Sequence, residues 1–185
     1  MARENRVDLK GPVINCGIKT EKDGTREGLV VMGVIRGFRN IGDSRDNVKI
    51  DRPIIMTRNP EILKIIETLS KNDIITVKGA IASRTKNKKH KCPQCGNIDY
   101  TEGLTVYVEA VFVEKEFTSQ DDTSSLRYLN TIREISNQAL IMGHLTRNPK
   151  KVKVKNGPIV TQYPLAVERK YMIKEDPPSV DTDFP

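Results

Sequence analysis

Short apolar runs separated by turn residues dominate the first 117 residues of the chain. Runs of this length that are rich in valine and isoleucine are typical of strands in a small sheet. Pro53 lies within one of them and indicates a sheet edge or a bulge, because proline cannot donate a backbone hydrogen bond. The pattern predicts five strands, which contain Asn5–Gly11, Leu29–Phe38, Asn47–Thr57, Asp73–Ala82 and Leu104–Glu114.

A helix is predicted between the third and fourth strands. Asn59 is a good N-cap, and Pro60 suits the first helical position, where no backbone N–H is needed. Apolar residues then follow at helical spacing, at Ile62, Ile65, Ile66 and Leu69,. Three strands, a helix and two strands are the order of the OB-fold, a five-stranded Greek-key barrel, which we assign to residues 1–117. An open α+β sheet is the alternative architecture.

Residues 118–136 are interpreted as a linker with a short helix. The composition from Thr118 to Ser125 is polar and acidic. A helix capped by Asp121, Asp122 or Ser124 is predicted there. Its apolar residues are Leu126, Leu129 and Ile132.

Residues 137–185 are interpreted as a second, incomplete copy of the first fold. Asn137–Gly143 has the same asparagine-to-glycine spacing as Asn5–Gly11, and a second apolar run follows each of them after a polar turn. In the second copy this predicts two adjacent strands joined by a lysine-rich turn. A lone hairpin is marginal in water. We therefore expect this copy to be completed by further chain beyond Pro185, by another chain or by packing on the first barrel, and we favour further chain.

The ordered residues of the second copy carry a resemblance to a known family. Asn137, an apolar run and Met142-Gly143 are followed by Leu145–Pro149, and then by Leu165–Val167 with an aromatic at Tyr171. This order resembles the opening half of bacterial single-stranded DNA-binding proteins, and a Thr-Asp-Phe sequence near the end of the chain continues the resemblance. The resemblance implies an OB-fold, stacking of Tyr171 on DNA, and assembly of barrels into dimers or tetramers.

Composition adds a bias toward a polyanionic partner. The 185 residues include 31 Lys plus Arg against 24 Asp plus Glu, which gives a formal net charge of +7,. An ordinary basic cytosolic protein is the alternative interpretation. The sequence has no secretory leader, no apolar run long enough to cross a membrane, and an odd number of cysteines,. We therefore predict a cytoplasmic protein that is not bound to a membrane.

Cations beside rings predict a nucleic-acid interface, because single-strand binders combine a basic groove with rings on which bases stack. Arg84–Lys91 is a basic run predicted in the loop between strands four and five, and Arg147–Lys155 is a second basic run. Tyr107 and Tyr163 are interpreted as barrel packing, with a surface position as the alternative for Tyr107. The predicted phosphate contacts are Arg36, Arg39, Arg84, Lys86, Lys88, Lys89, Arg169 and Lys170. The predicted stacking rings are Phe38 and Tyr171, each of which has cations as neighbours in the sequence.

The segment His90–Gly96 resembles half of a zinc ribbon. Two cysteine thiolates in a Cys-x-x-Cys knuckle can bind one tetrahedral zinc ion, and Cys92 and Cys95 have this spacing. His90 is a candidate third ligand. His90 with Cys16, or the Cys92 and Cys95 pair of a second subunit, would complete a structural zinc site. The alternative is a loop without metal.

The sequence contains no motif for a nucleophile with its base and orienting group, which predicts a protein that is not an enzyme. The interpretation is a protein that binds single-stranded DNA with little sequence preference and protects it during replication, recombination or transfer. The alternative is an OB-fold assembly or adaptor factor whose zinc knuckle binds protein or RNA.

Overall fold

The structure is a computed structural model. It describes residues 4–36, 49–91, 93–133, 135–153, 157–168 and 182–183. Within these ranges, the side chains of residues 86–91, 99, 101, 102, 168, 182 and 183 lie outside the description. The first part of the chain contains β1 Glu4–Thr20, β2 Arg26–Met32, β3 Val34–Ile35, β4 Ile50–Asp51, β5 Ile54–Thr57, α1 Pro60–Thr68, β6 Asp73–Lys91 and β7 Ile98–Thr118. It is followed by α2 Asp122–Thr131, β8 Asn137–Met142, β9 His144–Leu145, β10 Lys150–Lys153, β11 Ile159–Gln162, β12 Leu165–Glu168 and β13 Thr182–Asp183.

Five strands close into a barrel. β2 pairs with β5, β5 with β7, β7 with β6, β6 with β1, and β1 pairs back with β2. Every pair is antiparallel except β5 with β7, which is parallel. β3 and β4 continue β2 and β5 as a short ribbon. When β3 is counted with β2 and β4 with β5, the order is three strands, a helix and two strands, as the sequence predicts.

The barrel interior is filled by branched aliphatic side chains from every strand. Alternation along β1 buries Val7 and Leu9, and Val30, Ile55 and Val77 come from the facing strands. Each of these side chains is at most 3% exposed. Their burial supplies the main stabilisation of the barrel, because each fully buried side chain of this size contributes about 1.5–3 kcal/mol.

Helix α1 begins as the sequence predicts. Asn59 is the N-cap, and its side-chain oxygen accepts a hydrogen bond from the Glu61 backbone N–H at 2.9 Å. The helix packs its apolar face on the barrel, where Ile66 and Leu63 lie over Gly28 of β2. A Cβ at Gly28 would lie 2.6 Å from the Ile66 Cδ1 atom, so glycine allows this close approach.

The β6–β7 hairpin is longer than predicted, and the basic run Arg84–Lys91 does not form a loop. The backbone of this run continues β6 and pairs with β7 from Arg84↔Thr105 to Lys91↔Ile98. The sequence prediction ended the strand at Ala82, because polar and charged residues follow it. In the structure the cross-strand ladder continues through these residues, because the hydrogen bonds between antiparallel strands join backbone groups and do not require apolar side chains,.

Helix α2 joins the two parts of the chain and packs on the barrel. Asp121 is its N-cap, and its carboxylate accepts from the Ser124 N–H at 2.6 Å. Leu129 is only 1% exposed, whereas Leu126 is 46% exposed. The predicted helix is therefore confirmed, and Leu129 fixes it to the barrel. No helix in the described residues is long and apolar enough to cross a membrane.

The segment after α2 forms short strands. β9 pairs with β12 (Leu145↔Leu165), which confirms the predicted pair of adjacent strands, and β12 also pairs with β13. The prediction of a lysine-rich turn is wrong for its first four residues. Lys150–Lys153 is strand β10, which pairs with β11 in a hairpin of its own, since alternating lysine and valine can form an exposed strand. The domain boundaries at 117 and 136 stay predictions.

Strand β8 of this segment adds to the edge of the barrel sheet beside β1. The register pairs Asn5 with Ile141, Val7 with Ala139, and Leu9 with Asn137. Asn5 and Asn137 begin the two similar segments, and Leu9 and Ile141 each lie four residues later. Each asparagine therefore pairs with the residue four positions along the other segment, and the pairing is symmetric about Val7 and Ala139. The two segments thus meet as the identical strands of a two-fold symmetric dimer do.

A close contact between a glycine and a backbone carbonyl occurs in both copies. A Cβ on Gly11 would lie 2.0 Å from the Gly33 carbonyl oxygen, and a Cβ on Gly143 would lie 2.4 Å from the Ala166 carbonyl oxygen. Each glycine is placed six residues after the corresponding asparagine, Asn5 or Asn137. The shared contact supports the interpretation of two copies of one fold.

A buried carboxylate, Asp73, fixes the start of β6. Its side chain is fully buried and accepts from the Thr118 hydroxyl at 2.6 Å, the Lys115 ammonium at 2.9 Å and the Ser70 N–H at 2.8 Å. Burial by itself raises the pKa of this carboxyl. The hydrogen bonds from Thr118, Lys115 and Ser70 outweigh burial, so the pKa of Asp73 lies below its ordinary value.

We expect this arrangement to make stability depend on pH. A carboxyl with a lowered folded-state pKa stabilises the fold above its unfolded value of about 3.9, and that stabilisation is lost as the pH falls through the folded value. Asp73→Asn should lower the free energy of unfolding by about 2 kcal/mol at pH 7 and flatten its decrease between about pH 5 and pH 2. Urea unfolding at a series of pH values measures both effects. The same decrease in both proteins would contradict this assignment.

Candidate nucleic-acid interface

Arg36 follows β3 and is held by an acid on the neighbouring strand. Its Nε donates to both carboxylate oxygens of Asp51 at 2.9 Å, and its Nη2 also contacts Asp51. Asp51 lies opposite Val34 in the β3–β4 ribbon. The carboxylate raises the pKa of the Arg36 guanidinium. Arg36 is therefore a fixed cation, 37% exposed, whose charge is partly balanced by Asp51.

Arg84 lies in a second ion-pair cluster. Its Nη1 donates to the Glu27 Oε1 atom at 2.7 Å, and Arg58 Nη2 lies 3.4 Å from the same oxygen. The Arg84 guanidinium also lies over the Tyr107 ring, 5.8 Å from its centre. Tyr107 is half-buried. The predicted cation Arg84 is thus brought together with Arg58 and Glu27, which sequence analysis missed.

The β6–β7 hairpin carries more basic residues and an exposed ring. Lys86, Lys88 and Lys89 are paired by their backbones with Gly103, Thr101 and Tyr100. Tyr100 is 62% exposed, and sequence analysis did not select it. The alternation of exposed apolar residues along β7 is the signal that could have found this ring, at Ile98, Tyr100, Leu104 and Val106.

The packing interpretation of Tyr163 is wrong. Tyr163 is 57% exposed, because it lies between the short strands β11 and β12 rather than in a barrel interior. Tyr107 is half-buried and lies under the Arg84 guanidinium, so its ring is partly packed and partly on the surface. Exposed rings are thus available both on the hairpin and in the second segment.

Two structures of the single-stranded DNA-binding protein from Thermus aquaticus are similar to this protein. A deletion variant matches with a TM-score of 0.61 and 18% sequence identity, covering 100% of this chain and 74% of that chain. The wild-type protein matches with a TM-score of 0.61 and 16% identity, covering 100% and 72%. The chain has an OB-fold. No protein-family model and no curated protein matches the sequence.

Each candidate arginine can be assigned to a strand of the OB-fold. β2 with β3 is OB strand two, β4 with β5 is strand three, and β6 and β7 are strands four and five. Arg36 follows strand two, Arg58 follows strand three, and Arg84 lies on strand four. These three arginines therefore lie on or directly after three consecutive OB strands.

Other predicted contacts lie outside the described residues, namely Phe38, Arg39, Arg169, Lys170 and Tyr171. Gly33 and Ala166 are equivalent positions in the two copies, because the carbonyl oxygen of each lies close to the equivalent glycine. Three residues after them in the sequence come Arg36 and Arg169, and five residues after them come Phe38 and Tyr171, so these are counterparts. The stacking roles of Phe38 and Tyr171 stay predictions, and the equivalence means that both copies carry a cation followed two residues later by a ring.

The zinc site stays a prediction. Cys95 is exposed in the connection between β6 and β7, whereas Cys92 and the His90 side chain lie outside the description. Cys16 instead donates its thiol proton to the Leu69 carbonyl oxygen at 3.3 Å, and burial, followed by the nearby Asp73 charge, raises its pKa. Among the residues described, no three His, Cys, Asp or Glu side chains form a metal-binding group.

Proposed function

We propose that this protein binds single-stranded DNA and catalyses no reaction. The observation that carries the proposal is the placement of Arg36, Arg58 and Arg84 around OB strands two to four, beside a hairpin that continues with Lys86, Lys88 and Lys89. OB-folds bind oligonucleotides through the face of strands two and three and through the loops that border it. The formal net charge of +7 favours the same class of ligand,.

In this proposal the basic residues neutralise phosphates and the rings stack on bases. Arg36, which Asp51 fixes in place, would present its remaining donors to a phosphate at little conformational cost,. Phe38 and Tyr171 are the proposed stacking rings, and the exposed Tyr100 is added to them. Stacking is tolerant of sequence because every base has a π-face. The proposed binding therefore has little sequence preference.

The proposed function extends to a biological role, to assembly and to a zinc site. A protein of this kind would protect single-stranded DNA during replication, recombination or transfer, and we place it in the cytoplasm. Assembly into dimers or tetramers is proposed from the family resemblance. Zinc bound by Cys92, Cys95 and His90 would stabilise the end of the hairpin, because a structural zinc site contributes directly to folding.

Binding should depend strongly on salt. If about five phosphates are neutralised, the logarithm of the affinity should fall with the logarithm of the salt concentration at a slope near −3.5, since each contact on a single strand contributes about −0.7. Fluorescence anisotropy of labelled oligo-dT between about 0.05 and 0.3 M salt measures this slope. An affinity that does not change with salt would contradict the proposed phosphate contacts.

Competition assays separate this function from that of an adaptor. Unlabelled oligo-dT should displace the labelled oligonucleotide more effectively than duplex DNA of the same length, because only an unpaired strand offers its bases for stacking. The proposal also requires that oligo-dT compete better than RNA of the same length. A preference for RNA, or equal competition by duplex DNA, would favour the adaptor alternative. Repeating the assay after chelation tests whether a metal contributes.

A further inference from the structure

Glu27 is a nearly buried carboxylate shared by two arginines. Its residue is 8% exposed, and its Oε1 atom accepts from Arg84 at 2.7 Å and lies 3.4 Å from Arg58 Nη2. The three residues come from separate elements, because Glu27 is on β2, Arg58 follows β5, and Arg84 is on β6. The cluster is therefore a product of the closed barrel, and no local sequence pattern encodes it.

Both arginines keep access to solvent. The Arg58 and Arg84 side chains are each 33% exposed, while the Glu27 side chain is 10% exposed. A guanidinium has five N–H donors in a fixed fork, so one bond to Glu27 leaves donors for a second anion. Arg84 also lies over the Tyr107 ring. Two guanidinium groups beside a ring have the chemistry of a subsite for one phosphodiester and its base.

One carboxylate oxygen of Glu27 lies within ion-pair distance of both guanidinium groups, so it competes with a phosphate oxygen for the same cations. With Glu27 ionised, the three side chains carry a net charge of one rather than two. Because the pair is largely buried, added salt screens it less than an exposed pair. Breaking it would leave a buried charge without its partner, which is strongly unfavourable. Glu27 therefore lowers the attraction of this site for a phosphate and does not leave easily.

We propose that Glu27 attenuates the affinity of the OB-fold for single-stranded DNA by holding Arg58 and Arg84 in ion pairs, an inference that rests on the proposed function. In this arrangement Arg58 and Arg84 form a phosphate subsite beside Tyr107, and Glu27 limits how strongly it binds. The carboxylate allows a bound strand to be released at moderate salt, since the full counterion release of two free arginines is not available.

Glu27→Gln tests the proposal, because glutamine keeps an oxygen for Arg84 and removes the charge. At 0.1 M salt we expect the variant to bind oligo-dT about fivefold more tightly, which corresponds to one restored contact. The salt slope should become more negative by about 0.7 for each restored contact. Affinity and slope are both measured by anisotropy with labelled oligo-dT, after circular dichroism shows that the variant is folded.

Glu67→Gln is the matched control. Glu67 is on α1 and pairs with Arg26, so its replacement adds the same charge and frees an arginine that does not pair with Glu27. We expect less than about a twofold change in affinity and no change in slope. An equal gain in both variants, or weaker binding by Glu27→Gln, would overturn the inference while leaving the proposed function intact. Failure of the wild-type protein to bind oligo-dT would instead overturn the proposed function.

A double-mutant cycle gives a second measurement. In the wild-type protein the two guanidinium groups and Glu27 carry a net charge of one, so Arg58→Gln combined with Arg84→Gln should weaken oligo-dT binding by about fivefold, as for one lost contact. In the Glu27→Gln background, where both arginines are free of the carboxylate, the same two changes should weaken binding by about 25-fold. A loss of about 25-fold in the wild-type background would overturn the attenuation, whether or not Glu27→Gln folds.

Discussion

Replacing Gly11 with alanine is expected to lower the free energy of unfolding by about 3 kcal/mol. An added Cβ would lie 2.0 Å from the Gly33 carbonyl oxygen and 3.1 Å from Leu129 Cδ2. The first contact is with backbone, which cannot rotate away, and the Gly33 N–H is also bonded to the Pro12 carbonyl oxygen at 2.9 Å. The clash can therefore be relieved only if β1 moves away from Gly33, the residue between β2 and β3. Urea unfolding monitored by circular dichroism measures the loss.

Gly17→Ala provides the control on the same strand. No atom lies within 4 Å of a Cβ added at Gly17. Alanine there should change stability by less than about 0.5 kcal/mol, or increase it slightly because glycine loses more conformational freedom on folding. If Gly11→Ala and Gly17→Ala have the same stability, the close passage of β1 and Gly33 is not a feature of the folded protein.

Removing the charge of Lys86, Lys88 and Lys89 together is expected to weaken the binding of oligo-dT about a hundredfold at 0.1 M salt. Three lost phosphate contacts reduce the salt slope by about 2, and at 0.1 M this corresponds to about two orders of magnitude in affinity. The three positions lie on β6 within the hairpin, where their backbones pair with β7. Substitution by glutamine preserves length and strand pairing. Anisotropy titrations at several salt concentrations give both values.

A triple variant with Arg26, Lys64 and Lys71 changed to glutamine controls for net charge. These residues lie at the start of β2, on α1 and just before β6, outside the basic run Arg84–Lys91. All three are exposed, so the substitutions should leave the fold intact,. We expect a change in affinity of less than about threefold and an unchanged slope. Equal losses in the two triple variants would mean that net charge rather than the hairpin determines binding.

The element order and the helix starts were predictable because their signals are local. The Asn59 and Asp121 side chains accept hydrogen bonds from backbone N–H groups within three residues, and Pro60 suits the first helical position,. The apolar spacing of Ile62 and Ile66 likewise needs only the helical repeat,. Such features require no knowledge of the tertiary structure. The sequence therefore sufficed for the order of strands and helices and for the class of fold.

The environment of the candidate cations was not predictable, because it depends on contacts between distant parts of the chain. Arg84 and Glu27 come together only when the barrel closes, and Asp51 reaches Arg36 only across the β3–β4 ribbon. Charge alone presented Arg36 and Arg84 as free cations. The structure shows that each is paired with a carboxylate, which changes the expected strength of its contact with a phosphate.

The length of the β6–β7 hairpin also escaped prediction. Polar residues such as Lys86 and Asn87 are depleted in strands, and the propensity signal ends near Ala82. Cross-strand backbone hydrogen bonds do not depend on side-chain polarity, so the ladder from Arg84 to Lys91 forms once the hairpin register has been set by the apolar pairs below it,.

The pairing of β8 with β1 has a thermodynamic consequence. A contact between two separate molecules weakens on dilution, because its formation depends on their concentration. Here both strands belong to one polypeptide, so the partner is present at an effective concentration on the order of millimolar whatever the total amount of protein,. Joining the two copies covalently thus makes this interface independent of how abundant the protein is in solution.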